Sequence, residues 1–91
     1  MLRITVNKEG SGTRFIVEGK LVEPRVGELR RCWETAARLG EGHAIVDLAG
    51  VTLIDSHGRA LLAQMQRQGT QLLARRLMTQ AILEDIQQSK Q

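Results

Sequence analysis

The segment Asp55-Ser56-His57-Gly58 holds the residues whose types and spacing could do chemistry in this chain. It follows an apolar run and precedes a helical pattern, with no loop between the two. A serine at the start of a helix can carry a phosphate, because a helix N-terminus accepts anions. A phosphate there would add about −1.5 to −2 charge to a small surface patch. Phosphorylation of Ser56 is therefore one interpretation of this junction.

The same residues are also typical of a capped helix start. Ser56 is well placed to be the N-cap, because its oxygen could accept a hydrogen bond from a backbone N–H one turn on. Asp55 adds negative charge near the positive end of the helix dipole. Gly58 lets the backbone turn sharply and leaves space around the hydroxyl. Taken alone, these residues favour the cap, and the phosphoacceptor remains the functional alternative.

Other kinds of site chemistry find no support in the sequence. Asp55, Ser56 and His57 are consecutive, so they cannot face one another as a catalytic triad does. No Gly-rich phosphate loop of the Walker type is present. Cys32 is the single cysteine, and His43 and His57 do not have the spacing of metal ligands. We therefore expect no enzymatic activity, no cofactor and no metal site.

Length and composition restrict the class of protein further. The 91 residues suffice for one small domain, which we expect to span residues 1–91. The net charge of +3 is scattered along the chain and aromatic residues make up only 2%, which argues against nucleic-acid binding. No apolar stretch approaches the roughly 20 residues that a bilayer requires, so we expect no membrane insertion. A lone cysteine favours a reducing, cytoplasmic compartment, and the oligomeric state stays open.

Hydrophobic periodicity predicts the element order β-β-α-β-α-β-α. The predicted strands are 2–6, 14–21, 44–54 with a break at residues 49–50, and 70–74. The predicted helices are 24–39, 57–68 and Leu77–Gln88. This order indicates an α/β fold, with a mixed sheet of about four strands and helices packed mainly on one face. The third strand is apolar on both faces, so we expect it in the middle of the sheet, covered by helices.

One longer segment, AIVDLAGVTLIDSHGRALLAQMQRQG, resembles the STAS domain of bacterial anti-sigma factor antagonists. In that family an apolar strand ends in Asp-Leu or Asp-Phe, then come a small residue, Gly-Val, an apolar pair, and Asp-Ser-Ser/Thr-Gly opening a Leu-rich helix. The matching residues are Val46-Asp47-Leu48, Gly50-Val51, Ile54-Asp55-Ser56, Gly58, Leu61 and Leu62. The stretch FIVEGKL, residues 15–21, also resembles the family's second strand. The resemblance implies a STAS-like fold along nearly the whole chain.

The resemblance also implies a function. Ser56 matches the serine that a partner kinase, itself the anti-sigma factor, phosphorylates with ATP. The unphosphorylated protein binds that kinase and thereby frees the sigma factor, and the phosphorylated protein dissociates from the kinase. We therefore expect a non-enzymatic cytoplasmic regulator of transcription that is switched at Ser56. The partner-binding residues expected beside it are Glu23, Pro24, Asp55, His57, Gly58 and Arg59.

Two departures from the family pattern keep other functions open. The position after the serine is a small residue in the family, and here it is His57, which is bulkier and can carry a positive charge. An acid that often follows the second strand is displaced or missing, because Val22 follows Leu21 and Glu23-Pro24 come next. Small STAS proteins also serve as cytoplasmic subunits of lipid-transport ABC systems. Other STAS modules belong to signalling complexes in which the serine is not phosphorylated.

Overall fold

The computed structural model describes residues 1–40, 42–74 and 77–88. Seven elements follow one another in the predicted order. The strands are β1 (Leu2–Glu9), β2 (Gly12–Leu21), β3 (Ala44–Ile54) and β4 (Gln71–Leu73), and the helices are α1 (Val26–Arg38), α2 (Ser56–Arg67) and α3 (Leu77–Gln88). Within these residues, no helix is both long enough and apolar enough to cross a membrane.

The four strands form one mixed sheet in the order β1-β2-β3-β4. The hairpin of β1 and β2 is antiparallel, whereas β3 runs parallel to both of its neighbours. The parallel pairs require crossovers, which α1 and α2 provide. Two right-handed crossovers that advance in the same direction place their helices on the same face of the sheet. The predicted α/β fold is therefore confirmed, and this architecture is compatible with a STAS-like fold.

The core lies between the helices and the covered face of the sheet, and aliphatic side chains dominate it. The largest fully buried side chains are Phe15, Leu21, Leu29, Leu48, Leu61, Leu62, Met65, Val17, Val46 and Val51. Trp33 of α1 packs at one end and donates its indole Nε1–H to the hydroxyl of Thr70 over 3.0 Å. This buried hydrogen bond satisfies two polar groups that would otherwise destabilise the interior.

β3 departs from its prediction in two ways. It lies in the middle of the sheet, but the helices cover only one of its faces. The predicted break at residues 49–50 is wrong, because the strand continues through it to Ile54.

The register of β3 against β2 shifts between Ile16 and Glu18 and again between Gly19 and Lys20. These shifts are β-bulges, which change the face that the following side chains occupy.

Candidate functional site

Asp55 connects the start of α2 to the turn that follows β2. Its Oδ1 accepts a hydrogen bond from the Gly58 backbone N–H over 2.8 Å, and its Oδ2 accepts one from the Glu23 N–H over 2.8 Å. Its own N–H donates to the carbonyl of Leu21 over 3.2 Å. Because Asp55 has extended backbone angles and its side chain bonds three residues on, it is the N-cap of α2. The prediction that Ser56 caps this helix is wrong.

The two backbone donors also determine the charge of this carboxyl group. The hydrogen bond from Glu23, followed by that from Gly58, lowers the pKa of Asp55 below its ordinary value. Partial desolvation acts in the opposite direction, and the positive charge of His57 adds a smaller lowering of the same pKa. Asp55 is therefore an anion at neutral pH, and its charge strengthens both hydrogen bonds.

Ser56 occupies the first helical position of α2, and its side chain is exposed. Since Asp55 provides the cap, the Ser56 hydroxyl has no capping role, and it makes no hydrogen bond to any of the described residues. The hydroxyl therefore projects at the carboxyl end of the central strand β3. That end of a strand is where open α/β sheets usually place their chemistry.

The Glu23-Pro24 turn lies beside this helix start, as the predicted partner surface requires. The Glu23–Asp55 hydrogen bond joins positions 32 apart in the sequence. Both Glu23 and Pro24 are exposed, and the peptide bond between them is cis. The predicted start of the first helix at Pro24 is wrong. The Arg25 N–H donates to the Val22 carbonyl over 2.9 Å in a turn, and α1 begins after it.

Gly58 is buried and sets the distance between α2 and β2. A Cβ atom at this position would lie 2.5 Å from the Leu21 carbonyl oxygen and 3.0 Å from the Leu21 Cγ. Only a glycine allows the first turn of α2 to approach the end of β2 so closely. Gly58 can therefore position a partner surface, but it cannot contribute a side chain to one.

The two remaining predicted residues differ in their surroundings. His57 is exposed next to Ser56. Arg59 forms an ion pair with Asp85 of α3, and 43% of its side chain is exposed. Arg59 therefore links α2 to α3 and has only part of its surface available to a partner. Among the described residues, no group of three His, Cys, Asp or Glu side chains could hold a metal ion.

Leu53 is a site residue that the sequence analysis missed. It lies three positions before Ser56, and 47% of it is exposed. It pairs with Lys20 after the second bulge, whereas Ile54 pairs with the buried Leu21. The bulge thus places Leu53 outside and Ile54 toward the core. An uninterrupted apolar run gives no signal of such a bulge, because every residue in it suits a buried position.

Comparison with known proteins gives a structural likeness. No family model matches the chain, and no curated protein matches it. The solved structure described as "Crystal Structure Analysis of Mglu" is similar, with a TM-score of 0.56 and 25% sequence identity. The match covers 79% of this chain and 19% of that chain. This likeness supports the α/β fold, and the present chain corresponds to a small part of the Mglu chain's length.

Proposed function

We propose that this chain is a non-enzymatic, cytoplasmic STAS-domain regulator of the anti-sigma factor antagonist kind. It binds a partner serine kinase, and it is released when that kinase phosphorylates Ser56 with ATP. The observation that carries this proposal is the exposed Ser56 hydroxyl at the first position of α2, in a helix that Asp55 already caps. A serine that does not cap its helix is available for modification without loss of the cap.

The partner surface combines two segments that Asp55 holds together. One is the α2 start with Ser56 and His57, and the other is the Glu23-Pro24 turn. Leu53 adds an exposed apolar side chain to this surface. Covering this side chain with a partner would remove apolar surface from water, which favours binding by roughly 25 cal/mol per Å² of apolar area. The unphosphorylated surface therefore offers an apolar contact beside polar groups.

Phosphorylation would change the charge of this surface and leave the fold in place. A phosphoserine adds about −1.5 to −2 charge. The N-terminus of α2 tolerates that charge because its backbone N–H groups and dipole favour anions. The phosphate would lie next to the Asp55 carboxylate, so a face that suits a partner when unmodified becomes strongly anionic. A charge that the partner does not match raises the cost of desolvation and weakens binding.

Affinity purification of a tagged chain from its own cells tests this proposal. We expect the wild type and Ser56→Ala to retain an ATP-binding serine kinase, and Ser56→Glu to lose it, because the glutamate places a negative charge at the switch. Ser11→Ala, an exposed serine in the turn between β1 and β2 at the opposite end of β2 from the site, is the control and retains the partner. Recovery of a membrane transporter ATPase by all four proteins would contradict the proposal and favour a constitutive transporter subunit.

A further inference from the structure

Within the described residues, β1 forms one edge of the sheet. The Lys20 N–H donates to the Met1 carbonyl over 2.9 Å, so odd-numbered residues of the first strand bond toward β2. In an antiparallel ladder the bonding direction alternates from residue to residue. The backbone N–H and C=O groups of Ile4 and Val6 therefore point away from the sheet. Such an edge is a template for another strand.

An apolar groove accompanies this edge, between β1 and α1. It has a volume of about 400 Å³, and its lining includes Val6, Cys32, Ala36 and Leu39 together with the cationic Lys8 and Arg31. Val6 lies opposite the buried Phe15, on the covered face of the sheet, and yet 48% of it is exposed. Leu39 is 71% exposed. Two of the large exposed hydrophobic side chains thus lie at one groove, next to an edge with outward hydrogen-bonding groups.

We propose that β1 pairs with β1 of a second copy of this chain, antiparallel and about a two-fold axis at Val6. This register sets Val6 opposite Val6, Ile4 opposite Lys8, Thr5 opposite Asn7, and Arg3 opposite Glu9. Even-numbered residues meet even-numbered residues, so their outward N–H and C=O groups can bond to one another. The two sheets become one sheet of eight strands, and the contact is the same from both sides, as a two-fold dimer requires.

The charges of Arg3 and Glu9 favour a second copy of this chain as the partner of β1, and they favour this register. Arg3 is exposed and makes no ion pair with any described residue. Glu9 binds Arg14 over 3.1 Å, but half of its side chain is still exposed, on the same helix-free face as Arg3. The two-fold axis therefore creates two Arg3–Glu9 pairs. A shift of the register by two residues sets Arg3 opposite Asn7 and loses both pairs.

A charge-swap experiment tests the pairing. By light scattering, we expect the wild-type chain to have twice its mass of 10.1 kDa. Arg3→Glu and Glu9→Arg should each be monomers, because each sets like charges opposite one another at both ends of the pair. An equimolar mixture of the two variants should regain the dimer mass, because acid again meets base. Circular dichroism checks that each variant is folded. A wild-type monomer at millimolar concentration, or a folded mixture that stays monomeric, would overturn the proposal.

Cysteine crosslinking tests the register separately. Cα atoms of a hydrogen-bonded antiparallel pair lie about 5.5 Å apart, within the range that a disulfide can bridge. In a Cys32→Ser background, Val6→Cys should therefore link two chains on oxidation. Thr5→Cys should link them about tenfold more slowly, since its counterpart in the second copy lies farther away than a disulfide reaches. Equal rates at the two positions would overturn the two-fold axis at Val6.

Discussion

At the scale of single residues, the main result concerns the roles of Asp55 and Ser56. Both are good N-cap residues, so their order alone cannot show which of them caps the helix. Helix boundaries move by one or two residues, and a shift of one residue exchanges the cap with the first helical position. In the structure the carboxylate of Asp55 reaches Gly58 and Glu23, and the Ser56 hydroxyl is left exposed. The sequence could identify this pair, and the extended backbone of Asp55 with its hydrogen bond from Gly58 decides between them.

The role of Asp55 gives a pH-dependent prediction. Its pKa is lowered in the folded protein, so its contribution to stability is complete above the ordinary value of 3.8 and is lost as the pH falls through the folded pKa. Asp55→Asn keeps an acceptor for Gly58 but loses the charge and the second acceptor for Glu23. We expect a thermal midpoint several degrees below that of the wild type at neutral pH.

Melting curves from neutral to strongly acidic pH measure this difference. The gap between wild type and Asp55→Asn should begin to shrink as the pH falls below 3.8, the ordinary pKa of the aspartate. It should close once the pH is below the lowered pKa of Asp55 in the folded protein, because both side chains are then neutral. A gap of constant size across the whole range would show that the charge of Asp55 contributes nothing to stability. Glu34→Gln, on the exposed surface of α1, is the control for general charge effects.

At the scale of elements, close contacts at the two ends of α2 fix its place against the sheet. Gly58 packs its first turn against the carbonyl of Leu21. Thr70, which follows its last turn, accepts the hydrogen bond from Trp33 of α1. Helical periodicity predicted α2 to within one residue at each end, and it could not predict these contacts. They join segments that are far apart in the sequence.

Gly58→Ala tests the contact between α2 and β2. The added methyl group would lie 2.5 Å from the Leu21 oxygen, so the helix must move. We expect a loss of about 1–3 kcal/mol in the free energy of unfolding, measured with urea. Gly27→Ala, in the first turn of α1, is the matched control. There the nearest atom is 3.4 Å away, at the end of the Arg31 side chain, so the change should be neutral or stabilising by up to about 1 kcal/mol. An equal loss in both variants would contradict this interpretation.

Thr70→Val tests the buried hydrogen bond. Valine has nearly the same shape as threonine, but it leaves the Trp33 Nε1–H without its acceptor. We expect a loss of about 1–3 kcal/mol in the free energy of unfolding. Trp33 is the single tryptophan of the chain, so its fluorescence reports the transition directly. The exposed Thr35→Val should change the stability by less than about 0.5 kcal/mol. A wild-type stability for Thr70→Val would mean that this hydrogen bond contributes nothing.

At the scale of the whole molecule, the element order and the fold class could be predicted from the sequence. Alternation in the hairpin and helical spacing after it are strong local signals, and the crossover rule then restricts the topology. The bulges of β3 could not be predicted, because they depend on its pairing with β2. The exposure of Leu53 follows from that pairing, so the sequence analysis missed it.

The same architecture brings the two halves of the proposed partner surface together. The parallel pairing of β2 and β3 sets their carboxyl ends side by side, with Leu21 opposite Ile54. Glu23 and Ser56 follow these two ends, and Asp55 bonds to the backbone of both segments. A surface built from distant segments is thus held together at one end of the sheet. This arrangement supports a binding protein whose contact face can be altered at a single exposed hydroxyl.

The most direct test of the central claim is the intact mass of the chain isolated from its own cells, beside that of Ser56→Ala. The account predicts a wild-type fraction that is heavier by one phosphate, and no such fraction in the variant. A purified partner kinase with ATP should produce the same mass change in vitro. A single unmodified mass during both growth and stress would contradict the proposed switch at Ser56.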